Sequence, residues 1–320
     1  MTHRETQVGQ IDIIHELLLD EAAIAEQVIK MKEERNAVIL VHNYQRPEVQ
    51  DIADFTGDSL GLSREAARTE AEVIVFCGVH FMAETAFILS PDKTVLLPEM
   101  RAGCPMADMA DAADVARARH ENPDAMVVSY VNTSAAVKAV SDYCCTSANA
   151  VQVTRAVTSD RVLFVPDKNL AAYVASQVDK EIIAWDGFCP THENITAQHI
   201  ELARIEHPQA EVIAHPECSA EVLALADHIR STSGMLDAAL ESPATEFIVA
   251  TESGMLYPLA NAAPEKTFFS PAAEPLCPNM KLTTLSKVLW ALQTLEPRVT
   301  VPEEIRVRAL GAVERMLALG

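Results

Sequence analysis

Three stretches of this chain, each about 87 residues long, carry the same succession of short apolar runs. Their first runs cover residues 37–44, 125–132 and 210–217, offset by 88 and 85 residues, and each starts apolar and ends in polar side chains. Two further runs follow in each stretch, at residues 72–77, 161–165 and 246–250 and at residues 94–97, 181–185 and 267–269. Short, largely β-branched apolar runs are typical of strands in a buried parallel sheet. The chain is therefore expected to consist of three similar units.

Helical segments separate the predicted strands. They are expected at residues 64–70, 148–157 and 234–241 after the first strands, and at residues 82–89, 170–178 and 255–262 after the second. Strands that alternate with helices form parallel sheets covered by helices. The predicted fold class is therefore α/β, with three similar αβα sandwich domains. Their small parallel sheets, of about three strands each, are expected to surround a pseudo-threefold axis with the active site at its centre.

The predicted domains cover residues 36–122, 123–208 and 209–282. The two ends of the chain fall outside the repeat. A helix is expected at residues 11–35, and two more are expected at residues 284–295 and 302–319. These terminal segments, residues 1–35 and 283–320, are expected to pack on the first domain.

The net charge of the chain limits which kinds of molecule it is expected to bind. The chain has 46 acidic and 25 basic residues, for a net charge of −21, which argues against nucleic acid and anionic membranes. No apolar stretch approaches the roughly 18 residues of a membrane span, and the polar N-terminus shows no secretory signal. A cytoplasmic location is therefore expected, where the seven cysteines would not form a disulfide framework.

Three cysteines precede a proline and recur with the repeat: Cys104, Cys189 and Cys277, spaced 85 and 88 residues apart. On a pseudo-threefold axis their thiolates would meet, one ligand short of a closed structural site. Soft thiolates select zinc, copper(I) or an iron–sulfur cluster. Three cysteines on a [4Fe–4S] cluster leave one iron open as a Lewis acid, which predicts dehydration chemistry. The other four are expected to be small buried hydrophobes: Cys77, Cys144, Cys145 and Cys218.

Polar side chains follow the first strand of each unit, where ligands bind in parallel sheets. These residues are His42, Asn43, Tyr44, Tyr130, Asn132, His215 and Glu217. Hydroxyl-rich helix starts also recur, at Asp58-Ser59, Thr146-Ser147 and Ser231-Thr232. Such residues cap helices, and the same N–H groups bind carboxylate or phosphate. The set favours one cavity for a small, multiply anionic substrate, although each residue taken alone is more typical of a helix cap or of the surface.

One motif points elsewhere. Residues 57–61 match the G-x-S-x-G pattern of serine hydrolases around Ser59. That elbow needs a strand immediately before the serine, and residues 51–56 are a poor strand, so a hydrolase is disfavoured.

Ten runs occur in order from about residue 42 to residue 281: VHNYQRPEVQDIADFTGDSL, AGCPMAD, SYVNTSAAVKA, CCTSANA, PDKNLAAYV, WDGFCPTH, AHPEC, STSGM, ATESGMLY and CPNMK. Together these runs resemble the quinolinate synthase A family. The resemblance implies three αβα domains around a pseudo-threefold axis and one [4Fe–4S] cluster held by three cysteines. The implied reaction condenses iminoaspartate with dihydroxyacetone phosphate and yields quinolinate, phosphate and water for NAD biosynthesis. The enzyme that supplies iminoaspartate becomes a possible partner.

The resemblance also implies roles for individual residues. The cluster ligands would be Cys104, Cys189 and Cys277, and the catalytic groups Tyr44, His192 and Glu217. Glu217 suits a general base if burial raises its pKa. The substrate would be bound by His42, Asp58, Ser59, Tyr130, Asn132, Ser147, His215, Ser231 and Thr232. Some members carry a C-x-x-C at the third ligand; Glu274 stands there instead, so no disulfide switch is expected at Cys277.

Two rival functions remain open. An iron–sulfur dehydratase could act on another small hydroxy acid with the same three cysteines. A non-catalytic iron–sulfur sensor could also use them, but no DNA-binding helix pair or basic patch is evident in the sequence.

Overall fold

The computed structural model describes residues 20–271 and 274–319. A first helix, α1, covers Glu21–Glu34, and Asp20 caps it by accepting the N–H of Ala23. Residues 11–19 of the predicted N-terminal helix lie outside the described residues.

The chain then alternates between strands and helices. The first unit contains β1 (Ala37–His42), α2 (Pro47–Gln50), β2 (Phe55–Gly57), α3 (Ser59–Arg68), β3 (Val73–Cys77), α4 (His80–Leu89), β4 (Thr94–Leu96) and α5 (Ala112–Glu121). The second contains β5 (Ala125–Tyr130), α6 (Ala135–Lys138), β6 (Tyr143–Cys145), α7 (Ala150–Ala156), β7 (Arg161–Val165), α8 (Lys168–Ala175), β8 (Glu181–Ala184), α9 (Pro190–Glu193) and α10 (Ala197–Glu206). The third contains β9 (Glu211–Ala214), α11 (Ala220–Leu223), β10 (His228–Ile229), α12 (Thr232–Glu241), β11 (Glu246–Ala250), α13 (Leu256–Ala262) and β12 (Thr267–Phe269). Two helices follow, α14 (Leu285–Thr294) and α15 (Glu303–Ala318).

The strands form three four-stranded sheets of identical topology. Their orders are β2-β1-β3-β4, β6-β5-β7-β8 and β10-β9-β11-β12, and every pair is parallel. The predicted α/β fold with three small parallel sheets is confirmed. The expected three strands per sheet is wrong, because each sheet gains a short edge strand, namely β2, β6 or β10.

An aspartate attaches each edge strand to the first strand of its sheet. Asp54, Asp142 and Asp227 each accept a backbone N–H of that strand at 2.8 Å, from Ile39, Val127 and Val212 respectively. Their own N–H groups donate back to the carbonyls of the same three residues. The edge strands are two or three residues long, so they leave no apolar run in the sequence. The three aspartates, however, recur at the repeat offsets of 88 and 85 residues.

The cores of the sheets are closed by helices, including those after the repeat. Helix α14 packs on α1 and β3, whereas α15 packs on α4, α6 and β6. Asn149 of the second unit donates its side-chain N–H to the Met316 carbonyl at 3.1 Å, which fixes α15 there. The sequence assigned both C-terminal helices to the first unit; α15 contacts the second unit as well. The domain boundaries themselves remain a prediction.

Between residues 20 and 319, apart from 272 and 273, no helix combines the length and the apolar character that a membrane crossing requires.

Candidate functional site

A cavity of about 170 Å³ lies where the three units meet. All the site residues predicted from sequence line it except Ser231: His42, Tyr44, Asp58, Ser59, Cys104, Tyr130, Asn132, Ser147, Cys189, His192, His215, Glu217, Thr232 and Cys277. Because the polar side chains leave the sheets at strand ends, residues about 85 residues apart in the chain reach one space.

Ser231 lies behind the cavity. It caps α12 by accepting the N–H of Gly234 at 3.3 Å, and its hydroxyl donates to Asp58 Oδ2 at 3.5 Å. Asp58 in turn caps α3 through the N–H of Gly61 at 2.8 Å. Two of the three predicted helix starts are therefore confirmed, at Ser59 and Thr232. The third helix begins later than expected, at Ala150.

Two histidines share one local geometry. His42 Nδ1 accepts the backbone N–H of Tyr44 at 3.1 Å, and His215 Nδ1 accepts that of Glu217 at 3.3 Å. Each ring therefore carries its proton on Nε2, and that of His215 meets Ser147 Oγ at 3.1 Å. Burial lowers the pKa of both His42 and His215 to about 3. Both are neutral hydrogen-bond donors at neutral pH.

Glu217 is the centre of the polar network. Its Oε1 accepts the Tyr130 hydroxyl at 2.5 Å, and its Oε2 lies 2.8 Å from His192 Nδ1. Its side chain is only 4% exposed. Burial by itself would raise the pKa of Glu217, as the sequence suggested, but the imidazoles of His192 and His215 and the hydrogen bonds from His192 and Tyr130 outweigh it, and the net direction is down. The carboxylate is therefore held ionised.

The tyrosines next to this carboxylate are protonated. Burial raises the pKa of Tyr44 and of Tyr130 well above the usual value, and the charge of Glu217 raises both further. Tyr44 donates or accepts at Thr251 Oγ1, 2.5 Å away, and Thr251 also lies 2.8 Å from His192 Nε2. The sequence did not single out Thr251, which lies within the ATESGM run.

The backbone on either side of Asn132 is held by a lysine that the sequence also did not single out. Lys138 is fully buried, and its ammonium donates to the carbonyls of Val131, at 2.8 Å, and Thr133. These carbonyls flank Asn132, whose Oδ1 has no partner among the described residues. A buried amide oxygen without a partner at a cavity wall is available to a ligand.

The donors of the cavity are neutral. No lysine or arginine occurs among its described lining residues, which instead include His42, Ser59, Ser147, His215 and Thr232. Ser59 and Thr232 stand at the first turns of α3 and α12, where backbone N–H groups favour anions. Carboxylate or phosphate groups would be bound here by hydroxyls, imidazoles and helix N-termini.

The three Cys-Pro thiols line the same cavity. They lie close enough to interact, because Cys277 raises the pKa of Cys104 and Cys104 raises the pKa of Cys189. Burial raises the pKa of Cys104 to about 12 and also raises those of Cys189 and Cys277. Backbone N–H groups that follow each cysteine in the chain face its sulfur and oppose that rise. The charge of Lys281 opposes that rise at Cys277 without cancelling it, so a bound metal centre is what would keep all three sulfurs as thiolates.

The three sulfurs are too far apart to ligate one ion together. The sulfurs of Cys104, Cys189 and Cys277 do not all lie within 4.8 Å of one another, as ligands of one ion would. In the described part of the chain, three ligand atoms meet that limit only at Cys189, His192 and Glu217. Cys77, Cys144, Cys145 and Cys218 are buried away from the cavity, so the cavity offers three thiols and no fourth.

Glu252 holds the loop of the third cysteine. Its Oε1 accepts the backbone N–H of Cys277 at 3.0 Å, and its Oε2 accepts that of Gly254 at 2.8 Å. The ammonium of Lys281 lies 3.0 Å from Oε1 and donates to the Tyr44 carbonyl at 2.5 Å. One ion pair therefore links a cysteine loop to the loop of Tyr44.

The G-x-S-x-G match has a different local structure from the one expected. Strand β2 ends at Gly57, just before Asp58 and Ser59, so the expectation of no strand there is wrong. A nucleophile elbow also needs a strained turn at the serine. Among the described non-glycine residues, a positive φ occurs only at Asn36 and Leu295. Ser59 is an ordinary first residue of a helix, and a hydrolase remains disfavoured.

Comparison with known proteins agrees with the resemblance seen in the sequence. A family model described as Quinolinate synthetase A protein matches residues 26–318. The protein named Quinolinate synthase 1 from Methanosarcina acetivorans is 56% identical over 301 residues, which cover 94% of this chain and 99% of the relative. Proteins named Quinolinate synthase from Geobacter metallireducens and Thermodesulfovibrio yellowstonii are 56% and 55% identical over 92% of this chain and 97% of each relative. This chain belongs to the quinolinate synthetase A family of enzymes.

Proposed function

We propose that this chain is a quinolinate synthase, which condenses iminoaspartate with dihydroxyacetone phosphate and releases quinolinate, phosphate and water. The observation that carries the proposal is the cavity itself, where three thiols meet neutral anion-binding donors. Both substrates are small and anionic, and ring closure requires the loss of water. The family membership of the chain supports the same activity.

We propose a [4Fe–4S] cluster on Cys104, Cys189 and Cys277 as the cofactor. Three thiols that line one cavity, with no lysine or arginine among the described lining residues, and that are spaced too widely to ligate one ion together fit this group. A cluster with three thiolate ligands keeps one iron open as a Lewis acid toward a hydroxyl or carboxylate oxygen of the substrate.

The protein side chains would bind the substrate and transfer protons. The Nε2–H groups of His42 and His215 would donate to carboxylate oxygens without adding charge, together with Ser59, Ser147 and Thr232. Asp58 and Ser231 would act indirectly by capping α3 and α12.

Proton transfer falls to the network around Glu217. The Glu217 carboxylate is ionised, so it can accept a proton from the substrate. Tyr130 donates to it and orients it, and the Nδ1–H of His192 stabilises its charge. Tyr44 reaches the cavity from the first unit on the other side of His192.

The cellular setting follows from this chemistry. We propose a cytoplasmic role in NAD biosynthesis, in which an enzyme that makes the short-lived iminoaspartate is the natural partner. The acidic composition of the chain still disfavours nucleic acid and anionic membranes as partners.

Anaerobic incubation of cluster-loaded protein tests the function. Iminoaspartate would be formed in place from oxaloacetate and ammonia, dihydroxyacetone phosphate would be added, and quinolinate and phosphate would be measured together. We expect both products in equal amounts. Phosphate without quinolinate, or turnover of another hydroxy acid alone, would support the alternative dehydratase. If iron-replete protein forms neither product, the proposal is refuted and the non-catalytic iron–sulfur sensor is the remaining function.

The Glu252 contacts predict a variant that loosens the cluster. Glu252→Gln keeps the shape of the side chain but turns one acceptor oxygen into a donor and removes the charge that pairs with Lys281. Because hydrogen bonds to charged groups contribute about 1.5–3 kcal/mol, we expect iron release to a chelator to be at least about tenfold faster. Glu274→Gln is the matched control, since Glu274 is exposed on the same loop. Equal release from both variants would show that Glu252 does not hold Cys277.

A further inference from the structure

Three short helices occupy the same place in the three units. Helices α2, α6 and α11 have four residues each and follow the first strand of their unit. Their last residues are Gln50, Lys138 and Leu223, at the repeat offsets of 88 and 85 residues. Gln50 and Lys138 are buried, and neither lines the cavity. Because buried polar side chains need hydrogen-bond partners, their partners show what this position does.

Gln50 holds the backbone on both sides of a residue in the cavity. Its side-chain N–H groups donate to the carbonyl of Asn43 at 3.1 Å and to that of Gln45 at 2.9 Å. These two carbonyls flank Tyr44, which lines the cavity. The end of α2 is thereby joined to the loop after β1, and the backbone that carries Tyr44 is fixed.

Lys138 repeats this arrangement in the second unit. Its ammonium donates to the carbonyls of Val131, at 2.8 Å, and Thr133, which flank Asn132. All of these residues lie 88 positions after their counterparts in the first unit. A neutral amide and an ammonium therefore make the same pair of contacts. What Gln50 and Lys138 share is a nitrogen with at least two N–H donors, and not a charge.

The third unit shows that the fold does not need a donor at this position. Leu223 has none, yet the third sheet has the same topology as the other two. The cavity residue of that unit, Glu217, is held through its own side chain by Tyr130 and His192. Its carbonyl also accepts the side-chain N–H of Asn169 at 3.1 Å. The donor at the end of the short helix therefore calls for a reason other than the architecture.

Asn132 depends on its backbone more than the other two cavity residues do. Its Oδ1 has no hydrogen-bond partner within the described residues, whereas the Tyr44 hydroxyl lies 2.5 Å from Thr251 Oγ1. The direction of the Asn132 side chain is thus set by the loop that Lys138 holds. An acceptor that is already fixed binds a ligand without a further cost of ordering.

We propose that Lys138 is a positioning residue for the reaction, which acts through Asn132 by holding the two carbonyls that flank it. The inference rests on the proposed function, with Asn132 as a substrate-binding residue. Lys138 itself does not line the cavity. Its N–H donors keep the Asn132 amide in place to accept a hydrogen bond from the substrate, and its charge is not required for this role.

Two substitutions taken from the repeat separate the donors from the charge. Lys138→Leu introduces the residue of the third unit and removes the donors, whereas Lys138→Gln introduces the residue of the first unit and keeps two N–H groups without the charge. We expect Lys138→Leu to lower kcat/KM by about tenfold, the upper range for one hydrogen bond to the substrate. We expect Lys138→Gln to retain most of the wild-type kcat/KM.

Lys180 provides the matched control. Its ammonium also donates to two carbonyls that flank a single residue, those of Val157 and Ser159, and none of these residues lines the cavity. Lys180→Leu should therefore lower the melting temperature and leave kcat/KM at the wild-type value.

A double-mutant cycle separates positioning from a general loss of structure. If Lys138 acts through Asn132, Lys138→Leu should have no further effect on kcat/KM in the Asn132→Ala background. The same loss in both backgrounds would overturn the proposal, as would wild-type kcat/KM in Lys138→Leu. A loss in Lys138→Gln as large as that in Lys138→Leu would also overturn it, because the charge and not the donors would then matter.

Hydrogen exchange of the anaerobic full-length protein tests the hold on the loop without activity. We expect residues 131–134 to exchange faster in Lys138→Leu and at the wild-type rate in Lys138→Gln, with equal iron content in all three proteins. Unchanged exchange in Lys138→Leu would overturn the proposal. If Lys138→Leu does not fold, Lys138→Gln decides through its exchange and its kcat/KM. A wild type that makes no quinolinate but shows these exchange differences would refute the proposed function and leave the hold of Lys138 on the loop established.

Discussion

Cys189→Ser is expected to lose both its iron–sulfur absorbance and its quinolinate synthesis. Cys189 is one of three thiols that line the cavity, and with no fourth cysteine there the cluster would keep only two thiolate ligands. A serine hydroxyl is a harder ligand than a thiolate and ionises far less readily, so it does not replace the sulfur. Iron and sulfide counts, the visible spectrum and an anaerobic product assay measure the effect.

Cys77→Ser is the matched control for this variant. Cys77 lies in β3, is fully buried and does not line the cavity. A buried hydroxyl there costs about 1–3 kcal/mol of stability and leaves the ligands in place. We expect a lower melting temperature, with wild-type iron per folded chain. Equal loss of iron in both variants would refute the assignment of Cys189 as a ligand.

Glu217→Gln is expected to keep its cluster and lose turnover. The amide has the shape of the carboxylate and still accepts the Tyr130 hydroxyl, but it cannot take up a proton and lacks the charge that faces His192. Since positioned general acid–base groups contribute about 10²–10⁴-fold, kcat should fall by that factor. Iron content and single-turnover quinolinate formation report the two properties separately.

An exposed glutamate provides the comparison for this variant. Glu201 lies on the solvent face of α10, so Glu201→Gln changes the net charge equally without touching the cavity. We expect it to match the wild type. Unchanged turnover in Glu217→Gln would remove the proton-transfer role of Glu217, and loss of its cluster would show a structural role instead.

The fold was largely predictable because buried strands and helices require apolar residues, which recur in the sequence at regular intervals. Strands such as β3, which is buried along its whole length, appear in the sequence as apolar runs. The edge strand β2 does not, since its pairing with β1 depends on backbone hydrogen bonds and on Asp54. The recurrence of Asp54, Asp142 and Asp227 at the repeat offsets was a visible signal of these strands.

The site residues that directly follow strand ends were predictable from the sequence. The residues that pack behind the cavity lining were not. Thr251 and Lys281 contact Tyr44 across a unit boundary, and Glu252 contacts Cys277 within the third unit. Such contacts depend on tertiary packing that no local sequence pattern reports. The pKa of Glu217 illustrates the same limit. Burial was a reasonable expectation from the sequence, but the direction of the shift depends on His192 and Tyr130 as neighbours.

The three cysteines stand in loops that follow the last strands of three separate sheets, and this placement affects the stability of the folded chain. A cofactor held by Cys104, Cys189 and Cys277 would act as a cross-link that closes two chain loops of 85 and 88 residues. Only the folded chain brings all three sulfurs together, so the free energy of cofactor binding adds to the free energy of folding. Oxygen that destroys the cofactor would then also weaken the joints between the sheets, and a damaged molecule would be exposed to proteolysis as well as inactive.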